Sequence, residues 1–197
     1  MTNSIKLIGV VGAGQMGLGI AQVFATSGFD VLLNDNNKIA LSNSSEVIKT
    51  NLKKAINKGR LHKNDGISSV KKIKSEFDIS QLGKCDLIIE AATEDEKIKH
   101  EIFKDLIPHL QPHTILTSNT SSISITRLAA RTDRPEKFMG CHFMKPAPVM
   151  QLVELVRGIA TNEETANCLK DLVKKIGKIS TNSEDFPAFI VNRILMP

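Results

Sequence analysis

Short, densely apolar runs alternate along the chain with longer segments whose apolar residues recur at helical spacing. Residues 5–11 form the first run, and Met16, Ile20, Val23 and Phe24 then repeat with a helical period until Gly28. A second run covers residues 30–35. Beyond it, Ile39, Leu41, Val47, Ile48, Leu52, Ala55 and Ile56 predict a long helix ending at Gly59, and a more polar segment continues to Lys72. Residues 73–77 read as a short strand. Residues 86–92 are the clearest buried strand, apolar on both faces. Acidic residues at 94–96 open the next helix, with Ile98, Ile102, Phe103 and Leu106 as its stripe. Strands are predicted at 114–117 and 138–143, and residues 151–156 alternate like a half-buried strand. An amphipathic helix at 163–176 stops at Gly177, a last strand covers 178–181, and residues 186–197 begin another helix.

Strands alternating with helices predict an α/β fold whose parallel sheet is covered on both faces. The turn after the first strand, Gly12-Ala13-Gly14-Gln15-Met16-Gly17, reads G-x-G-x-x-G and opens a helix. Gly12 permits the tight turn, Gly14 lets the backbone approach a pyrophosphate, and Gly17 allows close packing of helix and strand. Asp35, at the end of the second strand, stands where such folds place an acid that accepts hydrogen bonds from the adenosine ribose. An acid there repels a 2′-phosphate, so the expected cofactor is NAD rather than NADP. The fold class is thus Rossmann-like: a doubly wound, mostly parallel sheet with a helical insert after the second strand.

Composition narrows the partners. The 197 residues are 41% apolar and 24% charged, which suits a globular domain, and no run is long enough to cross a bilayer. The N-terminus lacks the order of a signal peptide, so a cytoplasmic location is expected. A net charge of +5 favours polyanionic ligands, yet the absence of Trp and Tyr speaks against stacking on nucleic acid. The basic residues Lys49, Lys53, Lys54, Lys58, Arg60 and Lys63 crowd the insert, as a solvated helix face or as a rim for a phosphorylated ligand. Cys85, Cys141 and Cys168 have no metal-ligand spacing and are expected as buried free thiols; no metal is expected. By position at strand ends, Glu94 and Ser121 are placed to meet a ligand. His142 is a candidate base, whereas Glu154 by itself reads as a surface acid. His62, His100, His109 and His113 fall on polar positions and are left as surface.

The stretches GAGQMGLGIAQVFATSGFDVLLND, SNTSSISI, GCHFMKPAPVMQLVELVRG and DFPAFIVNRILMP together resemble the NAD-dependent 3-hydroxyacyl-CoA dehydrogenases, over essentially the whole chain. The resemblance implies oxidation of an L-3-hydroxyacyl-CoA to a 3-ketoacyl-CoA, with hydride passed to NAD. It implies that His142 is the catalytic base and Glu154 its partner acid. Removing the hydroxyl proton needs a neutral imidazole, and a carboxylate behind it fixes the tautomer. Ser121 matches a serine near the reacting oxygen and nicotinamide, and Asn192 an asparagine that helps hold the substrate. Glu94 and Lys99 match residues lining the cofactor, with Gln15 and Met16 beside the pyrophosphate turn. Ser45, Lys53 and Lys54 fall where the family's insert meets coenzyme A.

Three departures from the family pattern stand out. Lys145 replaces an asparagine that lies against the cofactor, placing a cation three residues from His142, which would favour the neutral imidazole if the lysine points inward. Ala188 stands where a glycine is usual, read as a small change. The family continues into a helical domain that dimerises and closes over the acyl-CoA, of which residues 185–197 would be only the start, after an NAD-binding domain at 1–184. Two other readings remain open: a truncated, non-catalytic NAD-binding module, and a dehydrogenase of a small hydroxy or sugar acid.

Overall fold

The computed structural model describes residues 5–195; Met196 and Pro197, the end of the predicted last helix, lie outside the described residues. Among the described residues, eight strands form one sheet in the order β3-β2-β1-β4-β5-β6-β7-β8. They are β1 (Leu7–Val11), β2 (Asp30–Asn34), β3 (Ile73–Glu76), β4 (Leu87–Glu90), β5 (Ile115–Ser118), β6 (Phe138–Phe143), β7 (Leu152–Arg157) and β8 (Ile179–Glu184). Pairing is parallel from β3 to β6, β7 runs antiparallel to β6, and β8 is parallel to β7. The strand order reverses between β1 and β4, the switch point at which doubly wound sheets bind ligands.

Alternation within each strand divides the core in two. Ile8, Val10, Val31, Leu33, Leu87 and Ile89 face α1 (Gln15–Thr26), α2 (Lys38–Asn57), α3 (Lys63–Lys72) and, further along the sheet, α6 (Glu163–Lys175). Val11, Leu32, Ile88 and Leu116 face the opposite layer, which contains α4 (Glu96–Leu106) and α5 (Ile125–Ala129). Both faces are covered, so the inner strands β1, β2, β4, β5 and β6 are buried at nearly every position. The same reason corrects the reading of residues 151–156: β7 is buried at four consecutive positions, Val153 to Val156, and Glu154 is fully buried rather than a surface acid. The short α5 has no counterpart in the apolar pattern. It is fixed from outside, by the Ser124 cap and by Asp185, which accepts from the backbone of Ile125 and Thr126.

Residues 37–72 form two helices, α2 and α3, as the pattern suggests, inserted between β2 and the edge strand β3. Cys85 and Cys141 are buried and unpaired, and burial pushes both thiols up to about 12; Cys168 is half-buried. No helix among the described residues is long and apolar enough to cross a membrane.

The chain then passes through a tight bend into α7 (Val191–Leu195). Ala188 and Phe189 have φ of 63° and 51° there, the left-handed region that a Cβ disfavours by about 1–2 kcal/mol. Alanine in place of glycine at 188 is therefore a strained position rather than a small change. Ala188→Gly is expected to raise the stability by up to about 1 kcal/mol, since glycine's larger unfolded-state entropy offsets part of the gain. Urea denaturation reads this directly, and an unchanged or lower midpoint would contradict it.

Candidate active site at the carboxyl ends of the strands

The glycine turn joins β1 to α1 at the open end of the sheet. Gly12 has φ of 107°, and a Cβ there would strike the Ala91 carbonyl; one at Gly17 would overlap the Gly12 carbonyl oxygen. Gly14 meets nothing, so its outward face is free for a ligand to approach. Side chains of Asn37, Asp95 and Asn162 cap α2, α4 and α6. By contrast, α1 starts at Gly14 with no side-chain acceptor and no acid in its first turn. A bare helix start behind an open glycine is the arrangement that receives a pyrophosphate, so these residues fit a dinucleotide. Asp35 reaches back to this turn: Oδ2 accepts from Ala13 N at 2.6 Å and Oδ1 from Asn37 N at 2.7 Å. Two further lone-pair directions remain on the carboxylate for ribose hydroxyls.

A cleft of about 650 Å³ runs from this turn across the sheet. Gly14, Gln15, Met16, Glu94, Lys99, Ser121, His142, Lys145 and Asn192 all line it, so it gathers most of the residues singled out from the sequence. Gly12 and Gly17 act through the backbone of the turn instead.

The reversal of β7 creates the central pair. In the antiparallel register His142 lies opposite Glu154, and His142 Nδ1 stands 3.0 Å from Glu154 Oε2. His142 is 8% exposed and Glu154 is fully buried. The second carboxylate oxygen, Oε1, accepts from Ile190 N at 2.7 Å and Val191 N at 3.0 Å. In the neutral imidazole, this contact with a carboxylate acceptor puts the proton on Nδ1 and leaves the lone pair on Nε2. Asn192 donates to the Ser121 carbonyl at 3.0 Å, which brings these two cleft residues together from distant parts of the chain.

Glu94 organises the loop after β5. Its Oε1 accepts from the Thr120 hydroxyl and from the backbone and hydroxyls of Ser121 and Ser122, at 2.6–3.0 Å. Burial pushes the Glu94 carboxyl up, but the donors from Thr120, Ser121 and Ser122 outweigh it and hold the group below its ordinary value. Lys99 is 2% exposed, and its Nζ lies 2.6 Å and 2.8 Å from the two oxygens of Glu90. Glu90 also accepts from Ser118 Oγ and Ala92 N. The apolar pattern alone did not mark Glu90; an acid ending an otherwise apolar strand is the signal that could have found it. Asn119, also unmarked, lines the cleft and accepts from Phe143 N at 2.8 Å, tying β5 to the end of β6.

Lys145 stands exposed at the rim of the cleft, before a cis peptide to Pro146. The following loop is held by Lys178, which donates to the carbonyls of Ala147 and Met150 at 2.8 Å and 2.6 Å and whose ammonium is pushed down by burial. On the far side of this loop a second cleft, of about 470 Å³, is lined by Asn51, Lys54, Lys58 and Arg60. Ser45 and Lys53 are exposed on α2 and line neither cleft. Helical geometry explains the change: residues 51 and 54 share one face of α2, Lys58 just past its end continues that face, and Lys53 points off it. Among the described residues no cluster could hold a metal ion.

The sequence profile of the family described as 3-hydroxyacyl-CoA dehydrogenase, NAD binding domain, matches residues 7–186. The chain is similar to the 3-hydroxybutyryl-CoA dehydrogenase of Bradyrhizobium diazoefficiens, 50% identical over 197 residues, which are 100% of this chain and 67% of the relative. A probable 3-hydroxybutyryl-CoA dehydrogenase of Deinococcus radiodurans is 47% identical over 96% of this chain and 68% of its own length. Among solved structures, that of (S)-3-hydroxybutyryl-CoA dehydrogenase from Ralstonia eutropha superposes with a TM-score of 0.94 at 41% identity, covering 98% of this chain and 68% of that one. The chain therefore spans about two thirds of the length of these relatives. Profile, relatives and fold agree with the glycine turn and the cleft it opens: the chain belongs to the 3-hydroxyacyl-CoA dehydrogenase family through its NAD-binding domain, and its cofactor is NAD.

Proposed function

We propose that this chain oxidises the 3-hydroxyl of an L-3-hydroxyacyl-CoA, with His142 as general base and Glu154 as its partner. The observation that carries the reading is the buried His142–Glu154 pair, opening onto the same cleft as the bare start of α1. Nε2 of His142 accepts the hydroxyl proton, and the Glu154 carboxylate stabilises the imidazolium that forms. Asn192, whose Nδ2 keeps one hydrogen beyond the bond to the Ser121 carbonyl, lies on the same cleft to donate to the substrate oxygen, which is negatively charged as its proton leaves, and the Ser121 hydroxyl adds a second donor when it turns from Glu94. Bound NAD supplies the hydride acceptor. Backbone at Gly14, Gln15 and Met16 would hold its pyrophosphate and Asp35 its ribose, and Glu94, Lys99 and Lys145 line the cleft that would take the nicotinamide.

Coenzyme A follows the basic cleft beside α2. Lys54, Lys58 and Arg60 supply the cations for its phosphates, and Ser45 and Lys53 drop out of the binding set. Residues 1–184 act as the NAD-binding domain. Residues 185–197 lead into the helical domain that relatives of greater length would carry and dimerise through. Ile194 and Leu195, each more than two thirds exposed, are the apolar surface such a domain would cover.

Loss of NADH absorbance with acetoacetyl-CoA is the test, run beside free acetoacetate and beside the chain extended with a relative's C-terminal region. Turnover of the thioester, stronger in the extended chain, is expected. Equal turnover of the free acid would point to a small hydroxy acid instead. NADH binding without turnover in either chain would leave a non-catalytic module.

A further inference from the structure

Residues 185–192 form an arm that packs on the sheet face of Val11, Leu116 and Val156, fixed at four points. Asp185 accepts from Ser124 Oγ at 2.7 Å and from the backbone of Ile125 and Thr126. Phe189 is 2% exposed and sits edge-on to the His142 ring, with centroids 6.2 Å apart. Ile190 and Val191 donate their N–H groups to Glu154, and Asn192 reaches the Ser121 carbonyl.

Between the first and third of these points the backbone takes two consecutive left-handed residues, Ala188 and Phe189, neither of them glycine. Such a bend persists only where its surroundings hold it. Burial of Phe189 supplies part of that hold, but an apolar contact is not directional. Phe189 N donates to the Phe186 carbonyl at 2.9 Å within the bend, and immediately beyond it the directional hold is the Glu154 carboxylate, which divides its oxygens: Oε2 to the imidazole, Oε1 to two successive amides of the arm. With Glu154 fully buried, both are charge-assisted bonds in a site that water does not reach.

We propose that Glu154 is a positioning residue for the arm as well as for His142, so that one carboxylate sets the base and the substrate-holding Asn192 together. Its effect on substrate rests on the reading above, in which Asn192 meets the acyl-CoA; its effect on the arm does not. A change that leaves the imidazole without its carboxylate also releases the amides from which Asn192 is presented. The base is then never oriented in a molecule whose Asn192 is displaced.

Amide hydrogen exchange on the labelled chain tests this without turnover. In the unaltered chain Ile190 and Val191 should exchange at least about tenfold slower than unprotected amides. His142→Gln, which spares the carboxylate, should leave that protection in place. Glu154→Met keeps the volume but removes the acceptor, and should speed both amides by about ten- to a hundredfold while the β6 and β7 amides stay slow. For turnover, Glu154→Met should raise KM for acetoacetyl-CoA as Asn192→Ala does, whereas His142→Gln should lower kcat at an almost unchanged KM. Unprotected amides in the unaltered chain, or full protection kept in Glu154→Met, would overturn the proposal. If Glu154→Met does not fold, Glu154→Asp reads the same amides. One methylene shorter, it cannot span both partners, and full protection with an unshifted His142 tautomer would be just as damaging. Since the exchange result needs no substrate, it is read separately from the failure of the catalytic assignment.

Discussion

Replacing His142 with Gln is expected to lower kcat by about 10²–10⁴-fold while leaving the fold and NADH affinity almost unchanged. Gln suits the test because its amide can still donate to Glu154, so the fully buried carboxylate is not left without that partner. What disappears is the Nε2 lone pair proposed to take the hydroxyl proton. Without it the oxygen keeps its proton as hydride departs, or water must remove it in a cleft shaped to hold substrate. NADH consumption with acetoacetyl-CoA measures the loss, with a urea curve and NADH titration as controls. Turnover within about threefold of the unaltered chain would sink the assignment of His142 as base, since a general base contributes at least about 10².

The second large effect concerns stability. Lys99→Met is expected to destabilise the chain by about 3–5 kcal/mol, because it leaves the Glu90 carboxylate buried without its counter-charge. Both partners are almost completely removed from water, at 2% and 0% exposure, and their separation is 2.6 Å. Ser118 and Ala92 still donate to Glu90, but neither brings charge. Replacing both members, Glu90→Met with Lys99→Met, should recover much of the loss, as hydrophobic replacement of a whole buried pair often does. Urea denaturation of the two single variants and the double variant gives the coupling. A loss below about 1 kcal/mol for Lys99→Met alone would mean that the pair is not held as described. By contrast, the exposed pair Lys104–Glu101 is expected to be worth little.

Much of the site was legible in the chain because its signals are local. The glycine turn needs three small residues at fixed spacing, and Asp35 follows from the strand that succeeds the helix. His142, Glu154, Ser121 and Asn192 entered as candidates through resemblance, and the cleft gathers His142, Ser121 and Asn192 with Gly14. The insert was less legible. A run of lysines does not say which of them face a ligand, and Ser45 and Lys53 proved to lie off the face that carries Lys54 and Lys58. Nor could an alternation rule place β7, since its neighbours cover both faces and bury Glu154 in a run that otherwise reads as half-exposed.

Amphipathic period, caps and turns act over a few residues, so the order of strands and helices and the dinucleotide-binding turn were set by the chain alone. Partnerships between distant residues were not. The antiparallel pairing that puts Glu154 beside His142, the Glu90–Lys99–Ser118 network and the strain at Ala188 appear only when strand order and register are known. Each depends on which backbone lies next to which, and a buried carboxylate takes its role from the donors that surround it.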